Sequence, residues 1–490
     1  MSMSLKAALP IAAISLFLLA CGDDNGSNVP IVKPQFSAFT VAANPNNVLS
    51  AIATLTLANA DSVHAVYWTG GDAIQSTPFS SQGGASATPV SGTALLLGLR
   101  PGTAYHVYLE AIGHGSTISS DTAAFTTGAL PTFLQSVSLT SVSPASFGYI
   151  LTSLWDGSTA YITAFDSAGN VAWYRAFPGG IPAEETKQQA NGDFTAVLTT
   201  SHGGEQVAGQ AVELTPDGSI VRTFTAADGS YLDGHEFWLL FNNDAYDGAL
   251  MLQYTARHLD LSAHGGPSDT LVTGHQLVRQ DAGGSQHVVF DAWDHFQLTD
   301  NVEPTSGQID FDHPNAISIA PDGNYAVSWR NLDVITKIDA STGDLLWTLA
   351  SPFSARASDF AITGDPLNGF SAQHSARVLA NGNVLIFDNG TKHAPSVSRA
   401  VEYQLDSSAH TASLAFQYKH APPIYTNFTG SVQRFVNGNT LVGFTFGGTL
   451  KATEVTPAGD VVYDGTLVSS GSQTPYRFTK VRSLYRYEQP

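Results

Sequence analysis

Three histidines stand out because each sits where a short apolar strand begins or is interrupted. They are His235 in Gly234-His-Glu-Phe-Trp238, His313 in Asp310-Phe-Asp-His-Pro-Asn315, and His374 in Ser371-Ala-Gln-His-Ser-Ala376. Arg330, in Ser328-Trp-Arg-Asn331, ends the strand that follows His313. Neutral imidazoles in such a set can ligate a metal. Alternatively, one imidazole can act as a nucleophile while the others and a guanidinium hold an oxyanion. No His-x-x-x-His or His-Glu-x-x-His spacing supports a local metal site, and the one cysteine, Cys21, lies far away in sequence. Residue types alone leave three readings open: an oxyanion site, a metal site, or structural histidines. His64, His106, His114, His393, His410 and His420 lack this placement and are expected to be solvated or structural.

Separate segments can converge only if the fold brings equivalent strand ends together, and the chain repeats itself in a way that does so. One phrase couples an apolar strand end, a Gly-containing turn and a new strand. It occurs as Ala164-Phe-Asp-Ser-Ala-Gly-Asn-Val-Ala-Trp173, then from Glu213, Arg279 and Lys337, in degraded form from Tyr403, and again from Glu454. A second phrase alternates with it, as Gln189-Ala-Asn-Gly-Asp193, Ala320-Pro-Asp-Gly-Asn324, Leu379-Ala-Asn-Gly-Asn383 and Phe435-Val-Asn-Gly-Asn439. Asn-Gly and Asp-Gly supply the positive-φ residues of hairpin turns. Two hairpins per repeat make four strands, the size of a propeller blade. The expectation over residues 129–490 is a six-bladed β-propeller, with the three histidines facing one another at the mouth of its axial channel. Two unrelated all-β domains are the alternative.

Ahead of the repeats, residues 35–128 carry β-rich runs separated by turn residues at β-sandwich spacing. Leu99-Arg-Pro-Gly-Thr-Ala-Tyr105 resembles the tyrosine corner of fibronectin type III domains, and Asp121–Thr127 resembles their last strand. The fold class expected is therefore all-β, a fibronectin type III-like sandwich followed by a propeller. Such a module alone says little about function.

The first residues suggest export. Lys6 precedes an apolar stretch, Ala7–Ala20, too short to span a bilayer permanently. It ends in Leu18-Leu-Ala-Cys21, which resembles a bacterial lipobox. The expectation is a signal peptide over 1–20, lipidation of Cys21, and a flexible tether over 21–34. The protein would then sit in the cell envelope, in the periplasm or at the outer membrane or cell surface, held to the membrane by lipid alone. With no second cysteine, no internal disulfide can form. The chain holds 490 residues with 21 basic and 41 acidic side chains, a formal charge of −20. That field repels a phosphate backbone and disfavours nucleic acid as a partner. A site for any anionic substrate needs its own local positive groups.

The order of motifs is specific. His235-Glu-Phe is followed by Phe290-Asp-Ala-Trp-Asp-His295, Asp312-His-Pro-Asn315, Ser328-Trp-Arg330, Gln373-His-Ser-Ala376 and Phe387-Asp-Asn-Gly390. Ser398-Arg-Ala-Val-Glu-Tyr403 and Asn437-Gly-Asn-Thr-Leu441 complete the series. This succession resembles the bacterial arylsulfotransferase family over most of residues 150–465. The resemblance implies a six-bladed propeller that moves a sulfuryl group from an aryl sulfate to a phenol in ping-pong fashion, without a sulfonucleotide or other cofactor. It implies His374 as the nucleophile that carries the group, and His313 with Asn315 as the pair that positions it. Arg330 would give fixed positive charge, and His235 would be the remaining histidine of the site, with no metal bound. A phenol must lose a proton to accept the group, a task for His235 or His313. The rival expectation is a non-catalytic, lipid-anchored propeller that binds protein or polysaccharide.

Overall fold

A computed structural model of the chain describes residues 32–490, except 72, 82–85, 142, 144–146, 180–182, 203–204, 228–229, 302–308, 472–474 and 489. The expected signal peptide, Cys21 and most of the tether lie outside the described residues. The architecture is all-β, and the α-helix Ala292–His295 is a single turn. Among the described residues, no helix is long and apolar enough to cross a membrane.

Residues 35–126 form two sheets. Gln35–Ala43, Ala51–Ala58 and Val90–Leu96 make one, and the other is centred on Ser62–Trp68 paired with Ala104–Gly113. Alternation of buried and exposed residues along Ala104–Gly113 places Tyr105, Val107, Leu109 and Ala111 in the core between the sheets. The Tyr105 hydroxyl accepts the Arg100 N–H at 2.9 Å, tying the Pro101-Gly102 turn to its strand. Asn44 Nδ2 donates to Asp217 O at 2.7 Å and Leu97 N to the Tyr485 hydroxyl at 2.9 Å, which docks this part onto the rest.

From Ser138 onward, antiparallel hairpins build four-stranded units whose innermost strands touch in succession. Ala183–Gln188 packs beside Tyr149–Trp155, then Leu232–Asn242, Pro314–Ile319, His374–Val378, Ser431–Arg434 and Thr479–Val481 follow, each contacting the one before. The two ends of the chain are exchanged. Thr479–Val481 pairs with Tyr149–Trp155 as the inner strand of the first unit, while Ser138–Thr140 pairs with Val461–Val468 on the outer edge of the last.

The repeated phrases are turns of one geometry. In the second phrase, the glycine N–H bonds back to the residue three earlier: Gly192 to Gln189, Gly323 to Ala320, Gly382 to Leu379 and Gly438 to Phe435, all at 2.8–2.9 Å. These glycines have φ between +82° and +93°, a region that penalises a Cβ. Apolar side chains fill the space between neighbouring units, as where Trp173 stacks on Phe194 with ring centroids 4.7 Å apart.

Candidate functional site

His235 and His374 lie on innermost strands where the ladder breaks register, and His313 immediately precedes the strand between them, which breaks register at its start. Breaks fall between Leu232 and Phe237, between Pro314 and Ala316, and between His374 and Arg377. Such irregularities re-aim a side chain that a regular strand would direct elsewhere. The backbone adds to this, since His313, Ala372, Ser375 and Thr429 take φ of +46°, +50°, +54° and +62°. Left-handed non-glycine residues cost about 1–3 kcal/mol each, and they cluster where a site needs them.

The result is a cavity of about 640 Å³. His235 and His313 meet edge to face with ring centroids 4.6 Å apart, and His235 lies 6.5 Å from His374. One nitrogen from each ring falls within 4.8 Å of the others. Arg330 lines the same wall, donating to Asn331 Oδ1 at 2.9 Å and Asn427 O at 3.1 Å. Aromatic walls, which the sequence did not single out, come from Trp155, Tyr254, Phe428, Phe446 and Tyr476. Phe428 and Phe446 pack against each other as a tilted pair with ring centroids 3.9 Å apart, while staying 37% and 43% exposed at the rim.

His374 is buried, and its tautomer is set by its neighbours. Asn389 Nδ2 donates to Thr426 O at 2.6 Å and Thr429 O at 3.1 Å, so its Oδ1 must face His374 Nδ1 at 2.9 Å. The proton therefore sits on Nδ1, and the Nε2 lone pair accepts the Thr429 N–H at 3.2 Å. Burial, then Arg330 and the other two imidazoles, hold the His374 pKa well below the usual imidazole value. It is neutral at pH 7.

His235 behaves oppositely. Its Nδ1 lies 2.8 and 2.9 Å from the two oxygens of buried Asp233, which overcome desolvation and raise its pKa. His313 Nδ1 hydrogen-bonds Asp310, yet burial outweighs that carboxylate and lowers its pKa. Glu184 completes the wall beside His235, and burial pushes its carboxyl up to about 7. A Cβ at position 234 would collide with the Glu184 carboxylate, which explains the glycine of Gly-His-Glu-Phe.

Four of the five expected residues, His235, His313, His374 and Arg330, line this cavity. Asn315 does not: it is fully buried behind the wall, where its Nδ2 donates to Gln373 O at 2.7 Å. It braces the backbone next to His374, because it is the second residue of a strand that has already turned from the cavity. The remaining histidines expected to be structural lie elsewhere. His393, for example, is buried with Nε2 2.9 Å from Asp388 Oδ2. Sequence reasoning missed Asp233, Asp310 and Asn389 as the partners of the three imidazoles. Asp-x-His, Asp-x-x-His and Asp-Asn-Gly were the available signals.

A fixed guanidinium among imidazoles, one of them biased toward its protonated form by Asp233, favours a small anion. Fold and cavity thus define an all-β protein built to receive an anionic group beside a neutral, oriented imidazole. The chain belongs to the arylsulfotransferase family, whose model matches residues 139–479. No curated protein matches the chain. Among solved structures, it is similar to a protein of unknown function from Bacteroides caccae at 15% identity, covering 69% of this chain and 100% of that one with a TM-score of 0.43. It is also similar to virginiamycin B lyase from Staphylococcus aureus, at 8% identity over 68% of this chain and 99% of the other, TM-score 0.35. A quinonprotein alcohol dehydrogenase-like protein from Bacteroides thetaiotaomicron shares 12% identity over 88% of this chain and 94% of its own, TM-score 0.34.

Proposed function

We propose that this chain is an aryl sulfate sulfotransferase that works by a ping-pong mechanism through a sulfated His374. It carries a six-bladed propeller, a fibronectin type III-like sandwich ahead of it, and a lipid on Cys21 that holds it in the cell envelope. The observation that carries the reading is the Asn389-locked tautomer of His374, which keeps the proton on Nδ1 and leaves Nε2, held only by the Thr429 N–H, at a cavity lined by Arg330, His313 and His235.

In the first half-reaction, Nε2 of His374 gives up the hydrogen bond from the Thr429 N–H and attacks sulfur in line with the aryl oxygen. The N–S bond forms as the S–O bond to the aryl group breaks, and the departing phenolate takes the proton of His235. The sulfated ring keeps its Nδ1 proton, so Asn389 Oδ1 receives a stronger donor as the ring becomes cationic. Arg330 and His313 steady the sulfuryl oxygens, whose charge is dispersed in a loose transition state where positioning matters most. In the second half-reaction, the acceptor phenol gives its proton back to His235. Its oxygen attacks sulfur, the N–S bond breaks, and neutral His374 returns. The rim pair Phe428 and Phe446 suits an aromatic ring.

The test is rapid mixing with 4-nitrophenyl sulfate. A burst of nitrophenol equal to the enzyme concentration is expected without acceptor, with mass spectrometry finding one sulfuryl group on the peptide containing His374. Added phenol should convert the burst to turnover. A His374→Ala variant that still transfers sulfuryl groups overturns the assignment.

A further inference from the structure

Behind His235 lies a second histidine that the reaction above does not touch. His275 is 1% exposed, on the strand Thr270–Asp281. Its Nδ1 hydrogen-bonds Asp312, whose other oxygen accepts the His275 backbone N–H at 3.1 Å. Its Nε2 faces Asp233 Oδ2 at 3.5 Å. Asp233 in turn holds His235 through both oxygens, and Asp233 and Asp312 are themselves 2% or less exposed. Three buried side chains, Asp312, His275 and Asp233, thus run in a line from the interior to the partly exposed His235 at the cavity.

We infer that His275 is a positioning residue kept as a buried imidazolium, and that its charge tunes the acid–base poise of His235 through Asp233. This rests on the proposed role of His235 as proton carrier. Nδ1 of His275 hydrogen-bonds Asp312, while its buried Nε2 makes no hydrogen bond but lies 3.5 Å from Asp233 Oδ2; only a ring protonated at both nitrogens meets both carboxylates with a proton rather than a lone pair. Despite burial, Asp312 and Asp233 raise its pKa well above the usual imidazole value. Asp233 is held well below the carboxylate range, in spite of burial, by His235 and His275 together.

The physical need is clear from the charges. Asp233 alone, buried and ionised, would grip the His235 proton so tightly that the ring could not give it to a phenolate. A cation on the far side of Asp233 weakens that grip. His235 is faced from other elements by Glu184, His313, His374 and Tyr476, and His275 by Tyr254 and Asp310. None of these supplies a fixed positive charge on the Asp233 side, and Arg330 acts on His313 and His374 instead.

The sign follows. Neutralising position 275 raises the His235 pKa, so the acid limb of transfer to a phenol, which needs neutral His235, moves to higher pH. In His275→Gln we expect a shift of about one pH unit, a roughly tenfold loss at a fixed pH on that limb. His275→Lys, which keeps the charge, should return the limb toward its wild-type position. The direct readout is NMR of histidine-labelled, full-length protein, which follows ring titration whether or not sulfuryl transfer occurs. In the wild type, His275 should carry both ring protons at pH 7, and in His275→Gln the His235 midpoint should rise. A neutral His275 ring in the wild type overturns the inference without any variant. So does an unchanged or lower His235 midpoint in His275→Gln, or a stoichiometric divalent metal found between His275, Asp310 and Asp312. Absence of the nitrophenol burst would instead sink the proposed reaction and leave the NMR result to decide the charge relay.

Discussion

Asn389→Ala is the most informative perturbation of the cavity, because it changes no group that would touch substrate. The amide makes three hydrogen bonds: it accepts from His374 Nδ1 at 2.9 Å and donates to Thr426 O and Thr429 O. Removing it leaves the buried Nδ1–H without its acceptor, at a cost of about 1–3 kcal/mol. The ring can escape that cost by moving its proton to Nε2, but the lone pair that attacks sulfur is then gone. Either outcome raises the barrier of the first half-reaction by about 1–3 kcal/mol, a roughly 5- to 150-fold slower burst. Affinity for the aryl sulfate should change little, since Arg330, His313 and the aromatic rim remain. The assay is single-turnover release of nitrophenol across a range of 4-nitrophenyl sulfate concentrations, which separates rate from binding. A burst rate within a factor of about two of wild type would refute the tautomer lock.

Two further outcomes probe the rim and the scaffold. Phe446→Ala removes half of the tilted pair and should raise the KM for aryl donors roughly two- to tenfold, as expected for an aromatic contact worth about 0.5–1.5 kcal/mol; steady-state kinetics with aryl and alkyl sulfates would detect it. Asp365 is buried against Arg399 and Tyr403, which overcome desolvation and hold its carboxyl down at about 2. A depressed carboxylate adds stability that is complete above the unfolded value near 3.9 and lost as pH falls toward 2. Urea unfolding from pH 6 down to pH 2 should show a loss of about 2 kcal/mol that is absent in Asp365→Asn.

Periodic features were legible because they are local. A Gly at a fixed place in a turn depends only on nearby backbone, so the Asn-Gly and Asp-Gly phrases located hairpins at Gly192, Gly323, Gly382 and Gly438 without any tertiary knowledge. The same holds for Tyr105, whose partner lies five residues away. His235, His313 and His374 were legible through their shared place at strand starts. What escaped depends on contacts between units. His275 and Asp312 are 37 residues apart, and nothing in either segment marks the other. Asn315 shows the converse failure: two places after a cavity histidine it would share that residue's face on a regular strand, yet the positive φ of His313 and the register break between Pro314 and Ala316 part them, and its amide meets Gln373 O instead. Phe428 and Phe446 belong to connecting segments whose course no repeat dictates.

The exchanged strands at Ser138–Thr140 and Thr479–Val481 have a consequence for how the molecule comes apart. A linear array of repeats frays from its ends, losing one module at a time. Here the first and last strands of the repeat region each complete the unit at its other end, so peeling either one disturbs both ends at once. Denaturation should accordingly be a single concerted event, and the residues just after Val481 take part in it, since Leu484 is buried, Ser483 O accepts from Gln188 and the Tyr485 hydroxyl holds Leu97.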